Sequence, residues 1–332
     1  MKAITLPSYN KNIIRAMLGL KVIDVEMPIA TDDDVIIKVY AAPVNPSDIA
    51  FIQGVYNIVK PLPAAPGFEA SGKVVDAGKN AKHLIGNNVS CFVQDDRSGT
   101  WSEFVVANKS DIILLKDEMD MNQAACFTVN PFTAYGMFEI ALMRESKAII
   151  QNASGGQVAL FLRTMAAEHN IDVIDIVRKQ ETADLLISNG AKNVLVETDE
   201  HFTEKLDQLV LKLNPTVAYD AVGGSLSGII YNALPGDSEL VVYGGLSGKP
   251  ITDINVMEVI FNNKIISGFN LMYWKAELEE GDFEQISEKL QDKFISGAYG
   301  TNIIGVSTMD DIAKGLRNYI SDMSLGKILI VP

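Results

Sequence analysis

A turn of small residues, 152–158 with the letters NASGGQV, separates a predicted strand from a predicted helix. At such a point, free backbone amides and the positive end of the helix dipole can hold a phosphate group. We therefore expect a pyrophosphate to lie against Ser154, Gly155, Gly156, Gln157 and Val158. The usual motif has a glycine near the position of Val158, which lets the backbone approach the phosphates closely. Because this chain has valine there, a generic tight turn is the alternative interpretation.

Two cations end the next predicted strand. A site that prefers NAD usually places an acidic residue there, about twenty residues beyond the glycines, to bind the ribose hydroxyls. This chain has Arg178 and Lys179 instead, which suits a 2′-phosphate and favours NADPH over NADH. The alternative is a solvated helix start, although positive charge at a helix N-terminus is mildly unfavourable. Asp175 is expected to point elsewhere.

Two glycine pairs follow the fourth and fifth predicted strands of the same region, Gly223-Gly224 and Gly244-Gly245. Both fall at the carboxyl edge of the expected sheet, where ligands bind in open α/β folds. Turns are common at this edge in any case. The pairs therefore support a nucleotide site through their register with the first turn, not singly.

Soft metal ligands are scarce in this chain. Cys91 and Cys126 stand 35 residues apart, and the histidines are His83, His169 and His201. This pattern predicts neither a disulfide framework nor a thiolate zinc cluster, and it makes histidine-dependent triad chemistry improbable.

Charge and hydropathy exclude further classes. The chain has 28 Lys and Arg against 42 Asp and Glu, a net charge of −14, so nucleic acid is not an expected partner. No run approaches the roughly 18 apolar residues of a membrane span, and the first residues lack the apolar core of a secretory signal. We expect no membrane association and a cytoplasmic location.

Two kinds of segment position these residues. Up to about residue 120, short β-rich runs broken by turns predict an antiparallel barrel-like domain, with an ordered loop at the proline cluster 61–67. From there on, apolar strands alternate with amphipathic helices, which predicts a doubly wound parallel sheet. The six predicted strands are Lys147–Gln151, Asp172–Val177, Asn193–Val196, Val217–Asp220, Glu239–Tyr243 and Ile265–Phe269. The predicted helices are Val158–Glu168, Gln180–Asn189, Phe202–Leu213 and Ser225–Leu234.

The tail returns to the character of the first segment. Helices are predicted over Phe283–Ser296 and Met309–Met323, and a closing strand over Gly326–Val331. Since an isolated strand is unstable, the closing strand should complete the sheet of the first domain. The nucleotide domain would then be an insertion.

Several motifs together resemble the medium-chain dehydrogenase/reductase superfamily over essentially the whole chain; they are Val44–Asp48, Pro66–Gly72, Gly190–Ala191 and Gly326–Ile330. Within it, the chain looks most like the mitochondrial-type 2-enoyl thioester reductases. That similarity is carried by Ile52–Tyr56, Asn130–Tyr135, Ile150–Ser154, Val242–Gly245 and Gly268–Leu271 with Trp274. Quinone oxidoreductases of the zeta-crystallin type share part of the pattern.

The resemblance implies an α/β protein with a GroES-like β-barrel catalytic domain at 1–122 and 271–332. A Rossmann domain that binds NADPH would be inserted at 123–270, with the cofactor cleft between the two. Zinc-dependent members carry a cysteine, a His-Glu pair and a lobe of four cysteines. Here Phe68 occupies the position of that histidine and the lobe is absent, so the resemblance implies no metal.

The resemblance also implies site residues near the reacting atoms. Tyr56 matches the family's catalytic tyrosine, and a phenol of pKa about 10 stays protonated at neutral pH, ready to bind an enolate or to donate a proton. Asn45 would position substrate or cofactor, and Tyr273 and Trp274 would line an acyl pocket. The alternatives are structural: a tyrosine packed under a proline loop, an Asn-Pro turn and core aromatic residues.

Four more residues match family positions that contact the cofactor, namely Thr133, Tyr243, Phe269 and Lys327. Thr133 would bond the nicotinamide end, although a Pro-x-Thr sequence also caps helices. Glu69 is expected to be structural.

The reaction implied is hydride transfer from NADPH to the β-carbon of an enoyl thioester, followed by protonation of the neighbouring carbon. An NADPH:quinone oxidoreductase is the first alternative, and a non-catalytic nucleotide-binding protein, suggested by Val158, is the second. The expected partners are a small-molecule substrate and a second copy of the chain, since the apolar edge strand Ile265–Phe269 could pair across a two-fold axis. The substrate loops show no basic cluster, which favours small thioesters or quinones over an acyl carrier protein.

Overall fold

The computed structural model describes residues 1–332, and the chain divides into two compact units. One unit combines Met1–Val129 with Gly281–Pro332, and the other is Asn130–Glu280. We call them the terminal unit and the central unit. The terminal unit is thus assembled from both ends of the chain, as the returning pattern of the tail predicts.

The N-terminal part of the terminal unit is mostly β-structure. Its elements are β1 (Lys2–Thr5), α1 (Ile13–Gly19), β2 (Lys21–Asp24), β3 (Asp34–Pro43), α2 (Pro46–Gln53), β4 (Glu69–Ala77), β5 (Asn88–Phe92), β6 (Phe104–Asn108), β7 (Ile112–Leu114) and α3 (Met121–Ala125). Single 3₁₀ turns lie at Lys82–Leu84 and Lys109–Asp111. The proline cluster 61–67 is irregular, as predicted.

The central unit alternates helices and strands. Its elements are α4 (Asn130–Met143), β8 (Ala148–Gln151), α5 (Gln157–Glu168), β9 (Asp172–Val177), α6 (Gln180–Ser188), β10 (Asn193–Val196), α7 (Phe202–Leu213), β11 (Val217–Asp220), α8 (Ser225–Ala233), β12 (Glu239–Val242), α9 (Val256–Phe261), β13 (Ile265–Gly268) and α10 (Leu271–Glu277).

The chain then returns to the terminal unit. The remaining elements are α11 (Asp282–Ile295), β14 (Ile303–Thr308), α12 (Ile312–Ser321) and β15 (Lys327–Val331).

A seven-stranded sheet organises the terminal unit, in the order β14-β15-β3-β4-β5-β7 with β6 paired to β3. Strand β15 is antiparallel to β3, with Leu329 opposite Pro43 and Ile330 opposite Ala42, so the closing strand does complete this sheet. Strand β3 is central and is buried except at Lys38 and Tyr40. The apolar interior beside it includes Trp101, Phe51 and Phe68.

The central unit contains six parallel strands in the order β10-β9-β8-β11-β12-β13. Numbered within the sheet, this order is 3-2-1-4-5-6, that of a doubly wound dinucleotide-binding fold. The order in which strands are added to the sheet reverses at β8 and β11, which are parallel neighbours, so the carboxyl ends of these two strands form the switch point at which such folds bind ligands. The predicted Rossmann sheet is confirmed.

Candidate active site

The two ends of the chain meet at a buried lysine. Pairing of β15 with β3 brings Lys327 to Asn45, although 282 positions separate them. The ammonium of Lys327 donates to the side-chain oxygen of Asn45 and, over 3.4 Å, to the carbonyl of Val44. The amide nitrogen of Asn45 donates in turn to Glu69 Oε2 at 3.0 Å. Both ends of the Asn45 amide are therefore held by protein groups.

Two buried carboxyl groups flank this lysine. Glu69 Oε1 accepts bonds from the hydroxyl of Thr128 and the amide of Val129, each at 2.9 Å. Asp48 Oδ2 accepts the backbone amide of Asn45 at 2.7 Å, which caps α2, but its Oδ1 is buried without a hydrogen-bond partner. Burial raises the pKa of Asp48 to about 7 and also raises that of Glu69. The expectation that Glu69 is structural is consistent with these contacts.

Tyr56 follows α2 on a loop that begins at Gly54. Gly54 has φ +69°, and a Cβ there would lie 2.8 Å from Cβ of Tyr9, so glycine is needed at this turn. The Tyr56 ring is half-buried, 5.5 Å from the ring of Phe68. The pKa of the phenol is raised, mainly by burial and to a smaller extent by the charge of Asp48. A side-chain hydrogen bond with Gln94 partly opposes this shift. The phenol is consequently protonated at neutral pH.

In the central unit, the turn after β8 leads directly into helix α5, as the sequence predicts. Helix α5 begins at Gln157, so the amides of its first turn, including that of Val158, have no acceptor within the helix. The turn is made by Ala153, at φ +48°, and by extended Gly156. Gln157 is buried, while Gly155, Gly156 and Val158 are half-buried. A valine in the glycine-rich stretch is thus compatible with the strand-turn-helix geometry.

Ser154 supports this turn from inside the protein. Its hydroxyl donates to the carbonyl of Gln151 at 2.9 Å and accepts the amide of Ile176 at 3.0 Å. Its own carbonyl accepts a bond from Arg163 at 2.8 Å. The hydroxyl of Ser154 therefore joins β8 to β9.

The end of β9 separates acidic and basic groups. Asp175 is buried and accepts bonds from Arg163 and Gln151, so it points away from the strand end, as expected. Arg178 is exposed and Lys179 is half-buried. Burial raises the pKa of the Glu197 carboxyl, and the nearby positive charge of Arg178 partly opposes this shift. The cation at the strand end is available to an anion.

Asp220 builds the carboxyl edge at the switch point. Its carboxylate accepts Asn152 Nδ2 at 2.5 Å, the amide of Val222 at 2.9 Å, the amide of Gly223 at 3.0 Å and the hydroxyl of Ser227. Asn152 Oδ1 accepts the amide of Ala221, which links β8 to β11. These bonds fix the loop that carries Gly223, whose φ is +75°.

The next turn of this edge follows β12. A Cβ on Gly244 would lie 2.8 Å from the carbonyl oxygen of Ala221, whereas a Cβ on Gly245 would meet no atom within 4 Å. Tyr243 beside them is half-buried, and burial raises its pKa. Open space at Gly245, the start of α5 directly after β8 and an exposed Arg178 together fit a dinucleotide phosphate.

The remaining predicted residues of the central unit lie on α4 and in the segment 269–274. Thr133 is half-buried in the first turn of α4. Trp274 Nε1 donates to Glu139 at 2.9 Å, and its ring lies 6.4 Å from that of Phe269. Tyr273 is 73% exposed. Trp274 and Phe269 thus pack on α4, where Gly136 leaves room for both rings.

The titratable side chains and the helices define two further properties of the chain. No group of three or more His, Cys, Asp or Glu side chains is arranged to hold a metal ion. Cys91 and Cys126 are buried, and burial raises the pKa of both thiols, that of Cys91 to about 12. None of the helices has the length and apolar character needed to cross a membrane.

Sequence reasoning missed the groups that support the predicted residues. Asp48 had a signal, because Asn45 and Asp48 have the spacing of a capping box, which the structure forms. No sequence signal indicated that Lys60 is buried, since lysine is ordinarily a surface residue, yet it is only 3% exposed beside the proline cluster. The supporting roles of Arg163 and Asp220 depend on contacts between neighbouring strands and turns, so they become apparent only in the structure.

Comparisons with known proteins identify the family. Residues 31–117 match the family described as alcohol dehydrogenase GroES-like domain. The mitochondrial enoyl-[acyl-carrier-protein] reductase of Xenopus tropicalis is 32% identical over 281 residues, which cover 83% of this chain and 79% of that relative. This chain belongs to the medium-chain dehydrogenase/reductase superfamily. The enzyme of that name from Homo sapiens is 30% identical over 274 residues, 81% of this chain and 73% of its own length.

A solved structure of this superfamily gives the same result for the fold. The protein from Mesorhizobium loti, provisionally assigned as an NADPH:quinone reductase, superposes with a TM-score of 0.94 at 30% identity. The match covers 100% of this chain and 98% of that one. The predicted GroES-like domain with an inserted Rossmann domain is confirmed, and this medium-chain reductase is an oxidoreductase.

Proposed function

We propose that this medium-chain reductase uses NADPH to reduce the carbon–carbon double bond of a small α,β-unsaturated thioester. The observation that carries the proposal is Tyr56, a half-buried phenol whose pKa is raised and which therefore keeps its proton at neutral pH. The names of the enoyl reductase relatives support the substrate class.

The surroundings of Tyr56 suit an apolar substrate. On the same loop, Val55 is 59% exposed and Val59 is 72% exposed. Exposed valines beside a protonated phenol provide apolar contact next to one hydrogen-bond donor, a common composition for a small-molecule site. An acyl chain with a thioester carbonyl matches this arrangement.

The cofactor proposal rests on the central unit. The phosphates would be held at the start of α5 and by the turns at Gly223, Gly244 and Gly245, and the 2′-phosphate by Arg178. We also keep Lys179, Thr133, Tyr243 and Phe269 as proposed cofactor contacts.

Four further residues are proposed to shape the substrate side of the site. Lys327 and Asn45 are proposed to shape the cofactor and substrate side of the terminal unit through their mutual bond. Tyr273 and Trp274 are proposed as substrate contacts, Tyr273 being the more exposed of the two.

The proposed chemistry needs one hydride, one hydrogen-bond donor and one proton. NADPH supplies the hydride when it is bound. The Tyr56 phenol donates a hydrogen bond to the thioester oxygen as negative charge develops there, which stabilises the enolate. The same phenol holds the proton that the α-carbon requires. Protonated and partly shielded from water, Tyr56 suits both roles.

A quinone substrate is the second candidate, and the Mesorhizobium loti structure favours it because of the name that protein carries and its TM-score of 0.94. A quinone also accepts hydride and is apolar and flat, so the exposed valines fit it as well. It has less need of an acid, so the effect of removing the Tyr56 hydroxyl separates the two candidates.

The test compares Tyr56→Phe with Tyr40→Phe, a control tyrosine that is 50% exposed on β3. NADPH oxidation is followed with crotonyl-type thioesters and with a quinone. Losing one donor to a developing oxyanion should lower kcat with the thioester roughly 100- to 1000-fold. Full activity of Tyr56→Phe with a thioester would remove the role assigned to Tyr56, and turnover of quinones alone would favour the second candidate.

Assembly and location are proposals as well. Strand β13 lies at the edge of the sheet, with Ile265 44% and Ile266 40% exposed, and the neighbouring α9 exposes Val256, Ile260 and Phe261. Pairing of two β13 strands would cover this edge, so we propose a homodimer. We keep a cytoplasmic location as a proposal, while the enoyl reductase relatives are named mitochondrial.

A further inference from the structure

Lys60 is a buried cation in the loop that carries Tyr56. Its side-chain ammonium donates to the carbonyl of Ser98 at 2.5 Å and is only 3% exposed as a residue. The ammonium also lies 5.9 Å from the ring centroid of Phe51 and 5.5 Å from that of Phe68. Cations at such distances are attracted to aromatic faces, most strongly where water is excluded. Burying a lysine costs free energy, so its presence in the interior calls for a role.

The backbone of Lys60 is held by a second group, the hydroxyl of Tyr9. The amide of Lys60 donates to this hydroxyl at 2.8 Å, and the hydroxyl donates to the carbonyl of Lys60 at 3.0 Å. The same tyrosine packs under Gly54 at the other end of the loop. Tyr9 therefore contacts the loop on both sides of Tyr56.

Phe68 connects the lysine to the candidate catalytic ring. Its ring centroid lies 5.5 Å from the Lys60 ammonium, 5.5 Å from the Tyr56 ring and 5.4 Å from the Phe51 ring. Phe68 is 1% exposed, so its ring has no freedom to follow a displaced neighbour without disturbing the core. The Phe68 ring thus adjoins both the Lys60 ammonium and the Tyr56 ring, and it holds the two at a fixed spacing.

We propose that Lys60 is a positioning residue for Tyr56, acting through the Phe68 ring and fastened by Ser98 and Tyr9. This inference rests on the proposed role of Tyr56. It assigns to Lys60 no contact with substrate or cofactor. It predicts that losing the ammonium lowers kcat while the KM for NADPH is unchanged, because the phosphate-binding turns lie in the central unit.

The charges around Lys60 make the arrangement sensitive to alkaline pH. Burial lowers the pKa of Lys60 to about 8, and the negative charges of Asp95, Asp48 and Asp96 oppose that shift. The other neighbours of the ammonium are the rings of Phe51 and Phe68, and the hydroxyl of Tyr9 bonds the backbone of Lys60. Deprotonation leaves the bond to Ser98 available but removes the attraction to the two rings, so the alkaline limb of the kcat profile should include this group.

The decisive experiment is a double-mutant cycle with Lys60→Met and Tyr56→Phe. Misplacing a catalytic group by about 1 Å can cost 100-fold, so Lys60→Met alone should lower kcat roughly 10- to 100-fold. In the Tyr56→Phe background, Lys60→Met should cost less than about threefold, because the group it positions is already gone. Equal losses in both backgrounds would overturn the positioning role.

Three further measurements complete the test. The kcat of the wild type should fall above about pH 8 and Lys60→Met should lack this fall, and an identical fall in both would contradict the inference. Tyr9→Phe removes only a hydroxyl and serves as the test if Lys60→Met fails to fold. It should lower kcat without changing the KM for NADPH, and an unchanged kcat would contradict the inference. Lys264→Met, a buried lysine of the central unit, controls for lost stability and should keep wild-type kcat. Full activity of Tyr56→Phe would instead refute the proposed function itself and this inference with it.

Discussion

Asp48 gives the sharpest prediction about the buried cluster of the terminal unit. Its side chain is 0% exposed, Oδ1 has no hydrogen-bond partner, and burial raises its pKa from 3.8 to about 7. A carboxyl of this kind stays protonated in the folded protein under conditions in which it ionises in the unfolded chain. Its contribution to stability is therefore complete below about pH 4, declines as the pH rises towards 7, and is lost above that.

The size of the effect follows from the two pKa values. A difference of about three pH units corresponds to about 4 kcal/mol at roughly 1.4 kcal/mol per unit. Asp48→Asn is the matched perturbation, because an amide has the shape of the protonated carboxyl and keeps an oxygen for the backbone amide of Asn45. The wild type should lose about 4 kcal/mol relative to Asp48→Asn between pH 4 and pH 8.

Urea unfolding at several pH values measures this difference. In a Trp274→Phe background, emission comes from Trp101 alone, which is buried in the same unit as Asp48. Titrations common to both proteins cancel in the comparison. The exposed Asp24→Asn variant is the control and should follow the wild type at every pH. A difference that stays flat, or that grows in favour of the wild type as pH rises, would refute the reasoning and show that Lys327 keeps Asp48 ionised.

Three other predictions concern the central unit. Gly245→Ala should fold normally, since its Cβ meets no protein atom, and it should raise the KM for NADPH because the added methyl group occupies the space proposed for the cofactor. Gly244→Ala should instead lose about 1–3 kcal/mol of stability, measured by melting curves, because its Cβ contacts the Ala221 carbonyl. An unchanged KM in Gly245→Ala would remove that glycine from the cofactor site. Arg178→Ala should weaken NADPH roughly 10- to 100-fold in a fluorescence titration and leave NADH unchanged, because one charge-assisted bond to the 2′-phosphate is lost; equal weakening of both cofactors would contradict this assignment. Ile266→Lys should give monomers in sedimentation velocity by placing a charge on the exposed edge strand, and an unaltered dimer would place the interface elsewhere.

Much of the central unit could be predicted from sequence because its strands are short apolar runs and its helices are amphipathic. Helix α4 was not predicted as an element, since eight of its 14 residues are buried and no polar stripe marks a periodicity. Strands β1 and β2 were missed because each has only four residues and neither has a face that alternates between buried and exposed side chains. In both cases packing, not local preference, decides the structure.

The candidate site shows the same division. The turn after β8 and the glycines of the carboxyl edge are contiguous motifs, so the sequence predicts them directly. The bond between Lys327 and Asn45 depends on the pairing of β15 with β3, and the bond between Asn152 and Asp220 depends on that of β8 with β11. Such contacts follow from topology, and no spacing in the chain reveals them.

Transfer of deuterium from NADPH labelled at the reactive C4 position tests the central claim most directly. The purified protein is incubated with crotonyl thioester, and the product is analysed by mass spectrometry and NMR. Hydride transfer to the double bond predicts a saturated thioester with one deuterium at the β-carbon and a solvent-derived proton at the α-carbon. Unreacted thioester, or NADPH consumption without deuterium in the product, would contradict the proposed function.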